Sequence, residues 1–216
     1  MPLLLALIFS WLLPEKPMGH PVLPPHAPVI SVEETPTTAD ELYAEIGLEG
    51  ILSGSAFQEG YERMVKFGIT GNILAIADMT QPSTAKRLYV IDLEQKVLVM
   101  RTWVAHGQNT GELYATAFSN KDGSHQSSLG LYRVGARIIS PKHGPALLLE
   151  GLEKGVNNNA LSREVIMHAA DYVSAGFIAQ HGRLGRSWGC PAVSQDAMPR
   201  MIELLAAGGM LYVHGG

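Results

Sequence analysis

At 216 residues, with 46% hydrophobic and 17% charged side chains, the chain is long enough for one sizeable core and too balanced for a disordered tail or a membrane bundle. A formal net charge of −4 argues against a nucleic-acid binder, whose surface is ordinarily basic. The single cysteine excludes an intramolecular disulfide and any multi-thiolate zinc site.

Leu3 to Leu13 is an apolar run with the length of a signal-peptide core, too short to span a bilayer comfortably. It is atypical as a signal, with no Lys or Arg before it and no Ala-x-Ala site after it. The alternative is a segment that packs on the domain. Pro14, Pro17, Pro21, Pro24, Pro25, Pro28 and Pro36 then favour an extended, semi-rigid spacer, in which His20 and His26 read as solvated. Residues 1–37 are thus leader and linker, and 38–216 the folded domain.

Thr38 to Gly50 carries Leu42, Ile46 and Leu48 at helical spacing, and Ser55 to Lys66 does the same with Phe57, Tyr61, Met64 and Val65 as core positions. Ile73–Ala77, Arg87–Asp92 and Lys96–Val104 read as strands, the last two joined by a hairpin at Leu93–Lys96. Leu131–Val134, Ala146–Leu149 and Val165–Met167 continue the series. The polar stretch Asn120–Ser128 is a surface loop, either solvated or in contact with substrate. Asp196 is placed to cap a last helix with Pro199 in its first turn, before Gly208-Gly209 and a final strand at Met210–Val213. The expected fold is mainly β, an antiparallel-rich sheet with two N-terminal helices and one C-terminal helix.

The stretch from His168 to Val193 carries the chemistry. Cys190 lies in Ser187-Trp-Gly-Cys-Pro, with His168 and His181 upstream and Arg183 and Arg186 beside it. A thiol is a weak nucleophile until a base or a positive field makes it a thiolate, and this segment offers both. No acidic residue lies between Asp171 and Asp196, so a positive local field is expected. Gly182, Gly185, Ser187 and Gly189 crowd the approach to the thiol, where a core strand would carry Val, Ile or Leu. Gly189 lets a substrate backbone come close, and the N–H groups of Gly189 and Cys190 are candidates for an oxyanion hole. A packing role is the plain alternative, since a lone cysteine is ordinarily a small buried hydrophobe. His168 ends the apolar run Val165-Ile166-Met167, which would hold its ring at the rim of a strand. The residues alone leave His181, in a glycine-rich turn, as a rival base.

These motifs form an ordered ladder: Trp103-Val-Ala-His106-Gly107, Phe118-Ser119-Asn120, Ser127-Ser128-Leu129-Gly130, Gly151-Leu-Glu, Asn157 through Arg163, His168, and Gly182-Arg-Leu-Gly-Arg-Ser-Trp-Gly-Cys-Pro-Ala. From approximately residue 40 to 214 the chain resembles the murein L,D-transpeptidase catalytic-domain family, the YkuD-like cysteine transpeptidases. The resemblance implies a β-sandwich-like catalytic domain and acyl transfer on peptidoglycan stem peptides. Cys190 would be the nucleophile and His168 its base, steadied by a backbone carbonyl instead of a carboxylate. Ser187 would hold the turn. Many relatives carry an Arg or Asn soon after the cysteine, where this chain has Pro191-Ala192, so Arg186 or Arg183 is expected to bind a stem carboxylate from the other side. Ala169 stands where relatives often have glycine. The family implies no cofactor or metal and no nucleic-acid partner. It implies export to the periplasm or cell envelope without a stable membrane span, and leaves the oligomeric state open. An L,D-carboxypeptidase on the same scaffold, another thiol peptidase and a non-catalytic wall-binding protein remain as alternatives. Metal-dependent hydrolysis lacks a His-x-x-x-His or paired His/acid spacing.

Overall fold

A computed structural model describes residues 38–206 and 208–216; the expected leader and proline-rich linker lie outside the described residues. The first helix, α1 (Ala39–Ile46), begins with a capping box between Thr38 and Glu41 and ends at Gly47 in the left-handed conformation. The second, α2 (Gly54–Lys66), is capped by Ser53, whose hydroxyl accepts the Ala56 N–H. Strands β1 (Ile73–Asp78), β2 (Leu88–Asp92) and β3 (Val97–Thr102) follow, then β4 (Gly130–Ser140), β5 (Gly144–Gly151) and β6 (Ile166–Ala169). The remainder is α3 (Ala175–His181), β7 (Ala192–Val193), α4 (Met198–Leu205) and β8 (Met210–His214).

The strands form one eight-stranded sheet in the order β3-β2-β1-β8-β4-β5-β6-β7. Two pairs, β1 with β8 and β6 with β7, are parallel, and the rest are antiparallel. The sheet nearly closes on itself. Just past β3, Ala105 donates its N–H to the Ala192 carbonyl on β7 at 2.8 Å, joining the two ends of the order. This is the mainly β architecture with flanking helices that the sequence predicts.

Period-2 alternation sorts the side chains into two cores. Leu74, Ile76, Tyr89, Ile91, Met210 and Tyr212 face α1 and α2, where they meet Leu42, Leu48, Leu52 and Phe57. Ala75, Ala77, Leu88, Val90, Leu211 and Val213 face the other way and pack with Leu147, Leu149 and the α4 residues Met198, Met201 and Leu205. Both faces of the central strands are therefore apolar, which is why they read as continuous hydrophobic runs.

Four details depart from the sequence reading. Val65 is 61% exposed on the outer side of α2 and takes no part in the core. Asp196 does not cap α4: the N-cap residue is Ala197, which has no side-chain cap, although Pro199 does fall in the first turn. Helix α3 was not anticipated, because it is short and buries none of its residues, so it carries no apolar stripe. Strand β4 runs on to Ser140 through a register shift between Val134 and Arg137, and the β4–β5 hairpin projects from the sheet with Ile139 exposed.

Candidate active site

The loop bearing Cys190 sits at the seam where the sheet closes, and one segment pins both its ends. At the start, Ser187 donates its N–H to the His106 carbonyl at 3.0 Å, and Gln108 donates its own to the Ser187 carbonyl at 2.8 Å. At the end, Ala105 and Ala192 exchange backbone bonds of 2.8 and 3.4 Å. Inside the arch, the Ser187 hydroxyl donates to the Cys190 carbonyl at 2.6 Å and accepts the Gly189 N–H at 3.1 Å. Ser187 thus closes the turn, and the Gly189 N–H, expected as an oxyanion donor, is engaged within it. Gly189 has φ +124°, and an added Cβ would lie 2.8 Å from the Gln126 carbonyl oxygen. Only glycine fits there without strain.

His168 lies on β6, registered with Ala192 on the parallel neighbour β7. Cys190 is two residues ahead of that partner, in the turn that leads into β7. The His168 ring is 1% exposed, and its Nδ1 lies 2.9 Å from the Ala169 carbonyl oxygen. A carbonyl only accepts, so Nδ1 carries the proton and Nε2 is left with a free lone pair. Burial pushes His168 down to about 4 against the pull of the Ala169 bond, and His143 and Lys142 push the same way. The Cys190 thiol is directed at the Glu164 carbonyl, 3.9 Å away, instead of at the imidazole. Burial pushes the thiol up, opposed by the Ile166 N–H, Arg163, its own N–H and Lys142. The resting pair is therefore a neutral thiol and a neutral imidazole.

The positive field expected from Arg183 and Arg186 is partly offset by an acid that is remote in sequence. Glu112 takes Arg183 Nε at 2.9 Å and Arg186 Nη1 at 2.6 Å. Arg186 also donates to the carbonyls of Gln108 and Gly111, and Arg183 to that of Leu184. In this structure the two guanidinia fasten neighbouring loops to each other, and neither is held toward Cys190. The rival base His181 sits exposed at the end of α3, its ring against Phe177.

Several contributors lie beyond the residues expected to do chemistry or bind substrate; among them, the sequence leaves His106 and His125 open between cleft lining and structure. Arg163 donates to the Ser119 and Gln126 carbonyls and to the hydroxyls of Ser124 and Ser128, gathering the 119–128 loop against the cysteine turn. That loop, expected on the surface, abuts the site. His125 stacks on Trp188 at 4.9 Å, and Trp188 stands 66% exposed two residues before Cys190. The tip of the β4–β5 hairpin reaches the same place. His143 stacks on His168 at 3.8 Å, and Lys142 Nζ lies 4.8 Å from the Trp188 ring centroid. The phenol of Tyr172 is pushed up by burial and by the nearby Cys190. Behind the pinning segment, buried Arg87 donates to His106 Nδ1 at 2.7 Å, which leaves the His106 Nε2–H for the Gly111 carbonyl at 3.2 Å. Burial, then Arg87, pushes His106 down to about 4. The available signals were the motifs themselves: Ser119, Ser127, Ser128 and Arg163 all belong to the ladder and prove to be partners in one network.

Among the described residues, no group of three or more His, Cys, Asp or Glu side chains could hold a metal ion, and no helix is long and apolar enough to cross a membrane.

Comparison with known proteins agrees with these motifs. A family model described as the L,D-transpeptidase catalytic domain matches residues 51–214. Solved structures with similarity include an L,D-transpeptidase from Mycobacterium smegmatis, at 13% identity over 67% of this chain and 59% of that one, with a TM-score of 0.41. An L,D-transpeptidase from Stackebrandtia nassauensis matches at 14% identity over 82% and 76%, with a TM-score of 0.40. The helical cell shape determining protein Pgp2 from Campylobacter jejuni matches at 13% over 66% and 47%, with a TM-score of 0.43. The chain spans 59% of the length of the mycobacterial relative. No curated protein matches. With the family model matching more than half of its length, the chain belongs to the L,D-transpeptidase catalytic-domain family.

Proposed function

We propose that the protein is a cysteine-dependent L,D-transpeptidase acting on peptidoglycan stem peptides in the cell envelope, with Cys190 as nucleophile and His168 as base. The observation that carries this reading is the pairing of β6 with β7 at the seam. It supports the reading because the strand partner of His168, Ala192, follows Cys190 by two residues, and because the buried imidazole commits its Nδ1–H to the Ala169 carbonyl, leaving Nε2 as acceptor.

The Cys190 side chain turns from the Glu164 carbonyl toward Nε2, which takes the thiol proton. The sulfur attacks the carbonyl that joins the third stem residue to a terminal D-amino acid, forming an S–C bond while the C=O π pair moves to oxygen. Collapse of this intermediate expels the amine, which leaves with the proton from His168, and a thioacyl-enzyme remains. The amine of a second stem then attacks the thioester, His168 takes its proton, and Cys190 is regenerated. A depressed imidazole and a raised thiol suit this order, in which the proton moves only when the substrate carbonyl is present. The Glu112 clamp favours a structural role for Arg183 and Arg186, and exposed Trp188 with Lys142 offers a surface for the stem on the open side.

Incubation with a disaccharide-tetrapeptide and mass analysis of the products tests the reading. Release of the terminal D-alanine with appearance of a cross-linked dimer, both lost in Cys190→Ala, is the expected result. Release without dimer would assign the site to an L,D-carboxypeptidase. Turnover that survives Cys190→Ala would remove the cysteine from the mechanism.

A further inference from the structure

Ser127 is buried beneath the cysteine turn, and its hydroxyl bridges two backbone groups. The Gly107 N–H donates to its Oγ at 3.0 Å, and the hydroxyl lies 3.0 Å from the Gly189 carbonyl oxygen. An amide N–H only donates, so the single hydroxyl proton has one destination, the Gly189 oxygen. The residue is itself anchored, because its N–H donates to Thr110 Oγ1 at 2.8 Å and Thr110 is fully buried.

This bridge decides the direction of the next N–H. A peptide unit is planar, with C=O and N–H on opposite sides. Holding the Gly189 oxygen toward Ser127 therefore turns the Cys190 N–H away from Ser127. That N–H lies near the sulfur of its own residue and, among the described residues, donates to no other; the preceding one is engaged by the Ser187 hydroxyl. Glycine at 189 has no Cβ to narrow its own φ and ψ, so its local conformational preference does not fix this plane unaided.

We infer that Ser127 is a positioning residue for acyl transfer: its hydroxyl holds the Gly189–Cys190 peptide so that the Cys190 N–H is presented to the oxygen on which charge develops. The inference rests on the proposed function and extends it to a residue remote in sequence from the nucleophile. Ser127 touches no reacting atom. It acts through the peptide plane, and its loss leaves the Gly189 carbonyl without the donor that orients it.

Two reactions of the same thiol separate this role from general support of the fold. Acylation by a carbapenem passes through an oxyanion, whereas alkylation by iodoacetamide at a tetrahedral carbon does not. Both rates are followed by intact mass on the full chain, for wild type, Ser127→Ala and Ser127→Thr. Ser127→Ala is expected to acylate about 10- to 100-fold more slowly while its alkylation rate stays within about threefold of wild type. Ser127→Thr, which keeps the hydroxyl, should recover most of the acylation rate. Wild-type acylation by Ser127→Ala overturns the inference, and so does an equal fall in both of its rates, which would make the residue a general support. A wild type that is alkylated but never acylated refutes the parent reading first, and the role of Ser127 falls with it.

Discussion

The helical layer over the sheet and the seam at its edge are built in opposite ways. The layer of α1, α2 and their connection holds on mainly through apolar contact: Leu48, Leu52 and Phe57 are fully or almost fully buried against Leu74, Ile76, Tyr89 and Ile91, with Arg63–Glu153 and Tyr212–Glu59 as polar additions. The seam is held by directional bonds between segments far apart in sequence, such as Ser127 to Gly189 and Arg163 to Gln126. Apolar burial is tolerant of small shifts and supplies stability. A hydrogen-bonded arch is intolerant of them and supplies geometry. The difference predicts that the two regions fail differently, the first in stability and the second in rate.

The largest stability effect belongs to the helical layer. Phe57→Ala should cost about 3–5 kcal/mol in chemical denaturation, while the folded fraction alkylates Cys190 at an unchanged rate. A changed rate would mean that the two regions are not independent. At the seam, Gly107→Ala would place a Cβ 2.5 Å from the His125 carbonyl oxygen and 2.9 Å from the Gly189 Cα. Acylation by a carbapenem should drop about 100-fold or more, as expected for a displacement near 1 Å, with a smaller loss of stability than Phe57→Ala. A variant that keeps its rate would show that the arch is not the source of the geometry.

Titration sharpens the contrast further. His106 and His168 are pushed down to about 4 from 6.5, so between those values the unfolded chain binds protons that the folded one does not. Stability contributed by these neutral rings is present above pH 6.5 and is lost as pH falls toward 4, by on the order of 3 kcal/mol for each ring at most. Melting temperature followed across this window should decline, and NMR titration of the two rings should show both neutral at pH 5.5. A protonated His168 at that pH would contradict the resting state described above. The opposite sign holds for Cys190: its raised pKa means that iodoacetamide reactivity climbs on the alkaline side of an ordinary thiol, without an acid plateau. The smallest effect belongs to Glu112, whose side chain is 68% exposed. Glu112→Gln should lower stability by less than about 1 kcal/mol. If it also lowers KM for a stem peptide, the released Arg183 or Arg186 binds substrate; an unchanged KM keeps both arginines as loop fasteners.

What the sequence showed follows the same division. The helices at Leu42–Ile46 and Phe57–Met64 and the strand runs from Ile73 to Thr102 were legible because burial repeats with a local period. The cysteine turn was legible as a cluster of small residues, and its motif ladder gave the family. The wiring was not. Nothing near Arg183 and Arg186 announces Glu112, and nothing near Gly189 announces Ser127, because a tertiary hydrogen bond leaves no periodic trace. Helix α3 was hidden for the reverse reason: Ser174 caps it and Gly182 ends it, but no buried face marks its length.

The central claim is that Cys190 is an acylatable nucleophile. Its most direct measurement is the intact mass of the protein after incubation with a carbapenem, wild type beside Cys190→Ala, with the adduct located by peptide mapping. The account predicts one adduct on wild type, on the peptide that contains Cys190, and none on the variant. An unmodified wild type, or equal labelling of both proteins, would contradict it.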